Sequence, residues 1–210
     1  MTRDIPTPHG VARAQLEPVA GARAALVLGH GAAGGVSAPD LTTVADVARS
    51  ERVAVALVEQ PYRVAGRRSP APAHQLDAAW LAVIEDLRRK DLVGLKLLVG
   101  GRSSGARVAC RTAHETGAAG VLCLAFPLRP PRPSGRAPAA SRLFELEQVT
   151  VPTLVVQGAS DPFGVPPPAD TREVVVVPGN HSLRSSLDAV AEAARAWLAR
   201  VAAEAAGTAA

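Results

Sequence analysis

The chain has 210 residues and a formal net charge of +4, and 48% of its residues are hydrophobic but only 3% aromatic. A chain of this length fits one domain and can bury about 70% of its unfolded surface. The basic residues are 21 arginines and two lysines scattered along the chain, with few aromatic side chains beside them, and this composition argues against a nucleic-acid partner.

Targeting and cysteine signals are equally sparse. The N-terminus has no apolar signal segment and no run of about 18 apolar residues occurs, so we expect a cytoplasmic protein without a membrane partner. Cys110 and Cys123 lie in apolar segments and are expected to be buried free thiols. We predict neither cofactor nor metal, because the five histidines show no metal-ligand spacing.

In the first half of the chain, apolar runs predict strands that alternate with helices. Residues 1–20 are predicted to be an irregular N-terminal segment. The expected elements then follow in order: a strand at 24–28, a helix at 40–50 with Asp40 as its N-cap, a strand at 53–58, a loop at 62–73 and a helix at 74–90.

The second half continues this alternation. A strand at 96–100 leads into a helix that runs through Ala113, and further strands are expected at 121–126, 153–157 and 173–177. Residues 127–140 hold five prolines and are predicted to be a binding loop. Helices are expected at 141–148 and 183–204, and the tail at 205–210 should fray. The pattern predicts one α/β domain over residues 1–210, with a doubly wound, mostly parallel sheet of about six to seven strands.

The residues Gly101-Arg102-Ser103-Ser104-Gly105 match the G-x-S-x-G pattern between a predicted strand and a predicted helix. A serine nucleophile needs a tight turn that projects its hydroxyl from the sheet, and the two glycines let neighbouring backbones pass close by. We therefore predict Ser103 as a nucleophile, although the pattern also occurs by chance as an ordinary turn.

A serine nucleophile needs a base and an acid that orients the base. Asp161 follows the strand at 153–157 and His181 follows the strand at 173–177, so both lie at the carboxyl edge of a parallel sheet with Ser103. The order Ser, Asp, His is that of the α/β-hydrolases. Asp161 could instead be a turn aspartate, in which case Asp170 and Asp188 are the alternative acids.

The negative oxygen of a tetrahedral intermediate needs N–H donors, and the backbone N–H groups of Ala32 and Ser104 are predicted to supply them. His30 is expected to shape the loop around Ala32 through hydrogen bonds rather than to act as the base. Arg102 either receives an anionic substrate group or pairs with a nearby carboxylate, and we favour the pairing. His30, Arg102 and Phe163 are retained as candidates for substrate binding.

Several segments carry a resemblance to a known family. They are HGAAG at 30–34, PYRVAGRRSP at 61–70, GGRSSGAR at 100–107, FPLRPP at 126–131, GASD at 158–161 and GNHSL at 179–183. With these the chain resembles the dienelactone-hydrolase-like α/β-hydrolases, and more closely the small hydrolase-like domain shared by testis-expressed protein 30 and subunit 3 of the NSL histone acetyltransferase complex. The resemblance implies a minimal α/β-hydrolase fold without a lid domain. Dienelactone hydrolases proper use a cysteine where this chain has Ser103, so a lactone of that kind is not implied.

The sequence thus predicts a serine hydrolase that cleaves a small-molecule acyl ester or thioester through an acyl-enzyme. Two alternatives remain. Some members of the family that the chain resembles are subunits of protein complexes, so the chain could be a non-catalytic binding or scaffold subunit. Residues 29–34 also match the dinucleotide-binding pattern G-x-G-x-x-G, with Glu59 ending the next strand, but a dinucleotide site would leave Ser103, Asp161 and His181 unexplained.

Overall fold

The computed structural model describes residues 1–32, 34–130 and 139–203. Eight strands in this part of the chain form one sheet, in the spatial order β1-β2-β4-β3-β5-β6-β7-β8. Strands β3 to β8 are parallel, whereas β1 pairs with β2 and β2 pairs with β4 in antiparallel fashion. The strand bounds are β1 Thr2–Thr7, β2 Gly10–Glu17, β3 Ala24–Gly29, β4 Val53–Glu59, β5 Lys96–Arg102, β6 Val121–Leu124, β7 Thr153–Gly158 and β8 Arg172–Val177.

Helices cover both faces of the sheet. Their bounds are α1 Pro39–Ser50, α2 Pro61–Val64, α3 Ala73–Lys90, α4 Ser104–Thr116, α5 Leu143–Glu147 and α6 Leu187–Ala203, the last preceded by a 3₁₀ turn over Arg184–Ser186. Helices α1 and α6 pack together on one face, and α3 and α4 pack together on the other. None of the helices described is long and apolar enough to cross a membrane.

Each central strand contributes to two separate cores because successive side chains point to opposite faces. Leu26 and Leu28 of β3 pack in the core on the side of α1 and α6. Ala25 and Val27 of the same strand pack in the core on the side of α3 and α4. Both faces of β3 are buried, which explains why its sequence is a continuous apolar run instead of an alternation of apolar and polar residues. The prediction of a doubly wound, mostly parallel sheet is confirmed.

The prediction that residues 1–20 are irregular is wrong. This segment forms the hairpin of β1 and β2, which adds two antiparallel strands to the six predicted ones. In β2 the side chains of Ala12, Ala14 and Leu16 are buried and their neighbours are not, which is the alternation of a strand with one solvated face. That period-two signal was present in the sequence but is carried mainly by small alanines.

Smaller differences concern the helices. Ala38, not Asp40, is the N-cap of α1, and Asp40 lies in the first helical turn. The predicted loop at 62–73 begins with the last residues of the short helix α2. The proline-rich segment is described only at its two ends, since 131–138 lie outside the described residues, as does the predicted frayed tail at 205–210.

Candidate active site

Ser103 occupies the tight turn between β5 and α4. Its backbone has a φ of 52° and a ψ of −107°, a left-handed conformation that a residue with a side chain rarely adopts. Its N–H donates to the carbonyl of Leu124 at 2.9 Å, which attaches the turn to the end of β6. A strained residue held in this way is typical of functional sites.

The two glycines that flank the turn are required by the approach of β3. A Cβ added to Gly101 would lie 2.5 Å from the carbonyl oxygen of Gly29, and one added to Gly105 would lie 2.3 Å from the same atom. These separations are shorter than real Cβ contacts allow. The expectation that the two glycines let neighbouring backbones pass close by is therefore confirmed.

The structure brings Ser103, His181 and Asp161 into one hydrogen-bonded chain. Nε2 of His181 lies 2.9 Å from Oγ of Ser103, and Nδ1 of His181 lies 2.8 Å from Oδ2 of Asp161. The Asp161 side chain has no solvent exposure and that of His181 is 20% exposed. Because an ionised carboxylate can only accept, a neutral imidazole donates its Nδ1–H to Asp161, and its Nε2 accepts a hydrogen bond from the hydroxyl of Ser103.

Asp161 is also held by its own loop. Its Oδ1 accepts a hydrogen bond from the backbone N–H of Phe163 at 2.9 Å, and its Oδ2 accepts one from Nε2 of Gln157 at 2.8 Å. The alternative acids Asp170 and Asp188 are both exposed. Of the three carboxylates considered, Asp161 is the one that contacts His181.

Arg102, next to the nucleophile position, joins the turn to the loop that carries His181. Its Nε donates to Oδ2 of Asp40 and its Nη2 donates to the backbone carbonyl of His181, each at 2.8 Å. Burial raises the pKa of Asp40, and the nearby guanidinium opposes that effect. These contacts agree with the expectation that Arg102 pairs with a carboxylate and stabilises the turn.

The loop after β3 runs directly beside the nucleophile position. A Cβ on Gly31 would lie 3.5 Å from the Cβ of Ser103, and the hydroxyl of Tyr62 donates to the carbonyl of Ala32 at 3.0 Å. Ser104 is the first residue of α4, where backbone N–H groups have no intrahelical partner. Within the described ranges, no protein acceptor takes the N–H of Ala32 or of Ser104.

His30 lies beneath this loop and is 2% exposed. Its Nδ1 lies 2.8 Å from the carbonyl of Gly31, and its Nε2 accepts the backbone N–H of Gln60 at 3.1 Å. Burial lowers the pKa of His30, which favours the neutral ring. Both ring nitrogens are engaged with protein atoms, consistent with a role in shaping the loop.

Phe163 borders His181 on the open side of the site. The centroids of the two rings are 4.4 Å apart and their planes differ by 39°. The ring is partly exposed, so it forms part of the surface next to the imidazole. Substrate contact by Phe163 remains a prediction.

Gln157 and the pairing of Asp40 with Arg102 were not predicted from the sequence. Gln157 is a polar side chain that follows the apolar residues of β7, and it is fully buried. A buried glutamine four residues before a candidate acid is a signal that could have identified it. Asp40 gave no such signal, because it pairs with a residue 62 positions away.

Other candidate chemistry is not supported by side-chain positions. Cys110 and Cys123 are free and buried, as predicted, with their sulfurs 3.5 Å apart. In the part of the chain that the structure describes, no group of three or more metal-ligating side chains occurs. The glycine cluster after β3 does not open a helix, because α1 begins only at Pro39, and this argues against a dinucleotide loop.

Comparisons with known proteins agree with the fold. The family profile described as an alpha/beta hydrolase domain matches residues 22–208. No curated protein sequence matches the chain.

Several solved structures share the fold. XC6422 from Xanthomonas campestris, described as an α/β serine hydrolase without a lid, has a TM-score of 0.73 at 18% identity, with 95% of this chain and 94% of that chain covered. Est1E from Butyrivibrio proteoclasticus has a TM-score of 0.77 at 16% identity, with 96% and 99% covered. Dienelactone hydrolase from Anabaena variabilis has a TM-score of 0.76 at 18% identity, with 95% and 96% covered. At these identities the likeness establishes the fold alone.

Proposed function

The chain belongs to the α/β-hydrolase family, and from that premise we propose that it is a serine hydrolase that cleaves an ester or a thioester through an acyl-enzyme. The observation that carries the proposal is the unbroken series of hydrogen bonds from Ser103 through His181 to Asp161. These residues come from three loops at one edge of the sheet. A nucleophile, a base and an orienting acid in contact are what acyl transfer requires.

In the proposed reaction, Oγ of Ser103 attacks the acyl carbon while Nε2 of His181 takes the hydroxyl proton. The electron pair of the C=O bond moves to the oxygen, which the N–H groups of Ala32 and Ser104 stabilise. Collapse of this intermediate breaks the bond to the alkoxide or thiolate, which leaves with the proton from His181. Asp161 stays ionised and holds the Nδ1–H tautomer.

The acyl-enzyme is then hydrolysed by the same groups. His181 removes a proton from water, the hydroxide attacks the acyl carbon, and the bond to Ser103 breaks as Oγ regains the proton from His181. The products are a carboxylic acid and the enzyme with the free hydroxyl of Ser103. Each step uses side chains already in contact, without a change of fold.

The narrower kinship with the domain of testis-expressed protein 30 and NSL complex subunit 3 is also a proposal. It rests on the six segments given in the sequence analysis, which run in the same order from HGAAG at 30–34 to GNHSL at 179–183. Arg102, the residue before the proposed nucleophile, hydrogen-bonds to Asp40 and to the backbone carbonyl of His181. These contacts give Arg102 a structural role, so the proposed hydrolase activity does not require an anionic substrate.

A fluorophosphonate probe tests the proposed nucleophile. We expect rapid labelling of the wild-type protein and none of Ser103→Ala. Ser104→Ala is the matched control, since it removes the adjacent hydroxyl in the same turn but keeps the backbone N–H. His181→Ala should slow labelling by at least about 10³-fold while the protein remains folded.

Equal labelling of wild type and Ser103→Ala would contradict the proposal. A wild-type protein that neither reacts with the probe nor hydrolyses any p-nitrophenyl ester or acyl-CoA thioester would instead support a scaffold role. Esters of rising chain length, compared with thioesters, would then identify the preferred acyl and leaving groups of an active protein.

A further inference from the structure

We propose that Gln157 is a positioning residue that acts on the imidazole of His181 through Asp161, an inference that rests on the proposed function. Gln157 lies in β7, four residues before Asp161, and is 0% exposed. Its Nε2 donates to Oδ2 of Asp161 at 2.8 Å. The same oxygen receives Nδ1–H of His181, also at 2.8 Å.

The surroundings dictate which way the Gln157 amide faces. Its Nε2 lies within hydrogen-bond distance of three acceptors: Oδ2 of Asp161, the carbonyl of Phe126 at 3.1 Å and the carbonyl of Gly164 at 2.9 Å. A flipped amide would direct its oxygen at all three acceptors. The NH₂ group must therefore face Asp161.

Burying the Gln157 amide lowers the stability of the fold, and an apolar residue at this position would avoid that cost. Within the described residues, Oε1 of Gln157 is buried and has no hydrogen-bond partner. The preceding residues of β7 are threonine, leucine and valines. An amide with an unsatisfied oxygen in such a strand is explained if its NH₂ group serves Asp161.

The Asp161 carboxylate is consequently surrounded by donors. The backbone N–H of Phe163 binds one oxygen, and Gln157 and His181 share the other. The neutral donor of Gln157 fixes the plane of the carboxylate and draws part of its negative charge away from His181. Without it, the carboxylate would be less well oriented, and its full charge would favour the protonated imidazole.

Two near-isosteric variants test this role. Gln157→Met removes the donor, and we expect the plateau rate of fluorophosphonate labelling to fall about 10- to 100-fold, the range that one lost hydrogen bond to a charged group implies. The acid limb of the pH–rate profile should also move upward by about half a pH unit or more, because the imidazole stays protonated to higher pH. Gln157→Glu keeps the shape and adds a carboxyl group, and it should move the limb in the same direction.

Val156→Ala is the control, because Val156 is equally buried in the same strand but belongs to the core on the α1 and α6 side. It should lower stability without moving the acid limb. If Gln157 were merely structural, Gln157→Met would behave like Val156→Ala. An unmoved limb in both folded Gln157 variants would overturn the proposal while leaving the proposed function intact.

An NMR titration separates this inference from the proposed function. In the wild-type protein, the side-chain amide signals of Gln157 should shift with the same midpoint as the ring nitrogens of His181, assigned through His181→Ala. This measurement needs neither turnover nor a folded Gln157 variant. Gln157 amide signals that do not shift as His181 is titrated would contradict the inference. Failure of the probe to label the wild-type protein would contradict only the proposed function.

Discussion

At the scale of single residues, His30 occupies a site that only a neutral imidazole fits. Its Nε2 accepts the N–H of Gln60, so that nitrogen cannot carry a proton without breaking the bond. Burial lowers the pKa of His30 below its ordinary value of 6.5. Protonation would therefore disturb the loop that holds Gly31 beside Ser103.

The sign of the resulting pH dependence follows directly. Below pH 6.5 His30 binds a proton in the unfolded chain but stays neutral in the folded protein, because its pKa there is lower. The contribution of His30 to the free energy of unfolding therefore decreases as the pH falls. The slope contributed by one such group approaches about 1.4 kcal/mol per pH unit. We expect the free energy of unfolding, measured with urea between pH 7.5 and 5.5, to fall more steeply for wild type than for His30→Gln.

His9→Gln provides the comparison for this prediction. His9 is exposed in the turn between β1 and β2, outside the loop that His30 supports. The His9→Gln variant should keep the wild-type slope. Equal slopes for wild type and His30→Gln would show that His30 does not resist protonation.

The sequence was informative about residues whose roles depend on chain order. Ser103, Asp161 and His181 each follow a parallel strand, so their meeting at one edge could be expected from the alternation of strands and helices. The role of Arg102 stayed open, because its partner Asp40 is distant in sequence and lies on another element. Pairings of that kind depend on how helices pack against the sheet, which no local pattern encodes.

At the scale of elements, the site depends on how closely α4 and β5 approach the end of β3. A Cβ on Gly105 would lie 2.3 Å from the carbonyl oxygen of Gly29 and 2.9 Å from that of His30. Both contacts are with backbone atoms, which cannot move aside as a flexible side chain could. The absence of side chains at this crossing is what brings the loop after β3 next to Ser103.

Gly105→Ala should therefore separate α4 from β3. We expect the free energy of unfolding to fall by at least about 2 kcal/mol, as overpacking of a tight contact does, and probe labelling to slow because the turn is displaced. Gly35→Ala is the matched control, since among the described residues its Cβ would meet only Oε1 of Glu59, at 4.0 Å. Chemical denaturation and labelling rates of both variants check this, and a Gly105→Ala protein with wild-type stability would refute the close packing.

Elements with long apolar runs were predictable and those with short or small-residue patterns were not. All six parallel strands were predicted, because each contains a continuous apolar run, which burial on both faces explains for β3 to β7 but not for the partly exposed edge strand β8. The hairpin of β1 and β2 was missed, since its buried side includes Ala12 and Ala14, which give a weak hydrophobic signal. Its antiparallel pairing to β4 is a tertiary property that becomes evident only with the sheet assembled.

At the scale of the whole molecule, the hairpin is part of the same core as the helices that support the site. Ile5 of β1 is 1% exposed and packs in the core that also contains Trp80 and Val83 of α3. Arg3 of the same strand forms ion pairs with Asp86 and Asp91 at the end of that helix. These contacts tie the N-terminal strand to α3, so the hairpin and the sheet are expected to unfold together.

Ile5→Ala tests this cooperativity. The lost methylene contacts and the cavity left behind should lower the free energy of unfolding by about 2–4 kcal/mol. Val11→Ala, on the opposite face of the hairpin where Val11 is 43% exposed, should change it by less than about 1 kcal/mol. If the molecule unfolds as one unit, tryptophan fluorescence, circular dichroism and loss of probe labelling in urea will shift together in Ile5→Ala. A hairpin that melts on its own would leave the labelling midpoint at its wild-type value, because Ser103, Asp161 and His181 lie in loops that follow β5, β7 and β8, and none of these strands pairs with the hairpin.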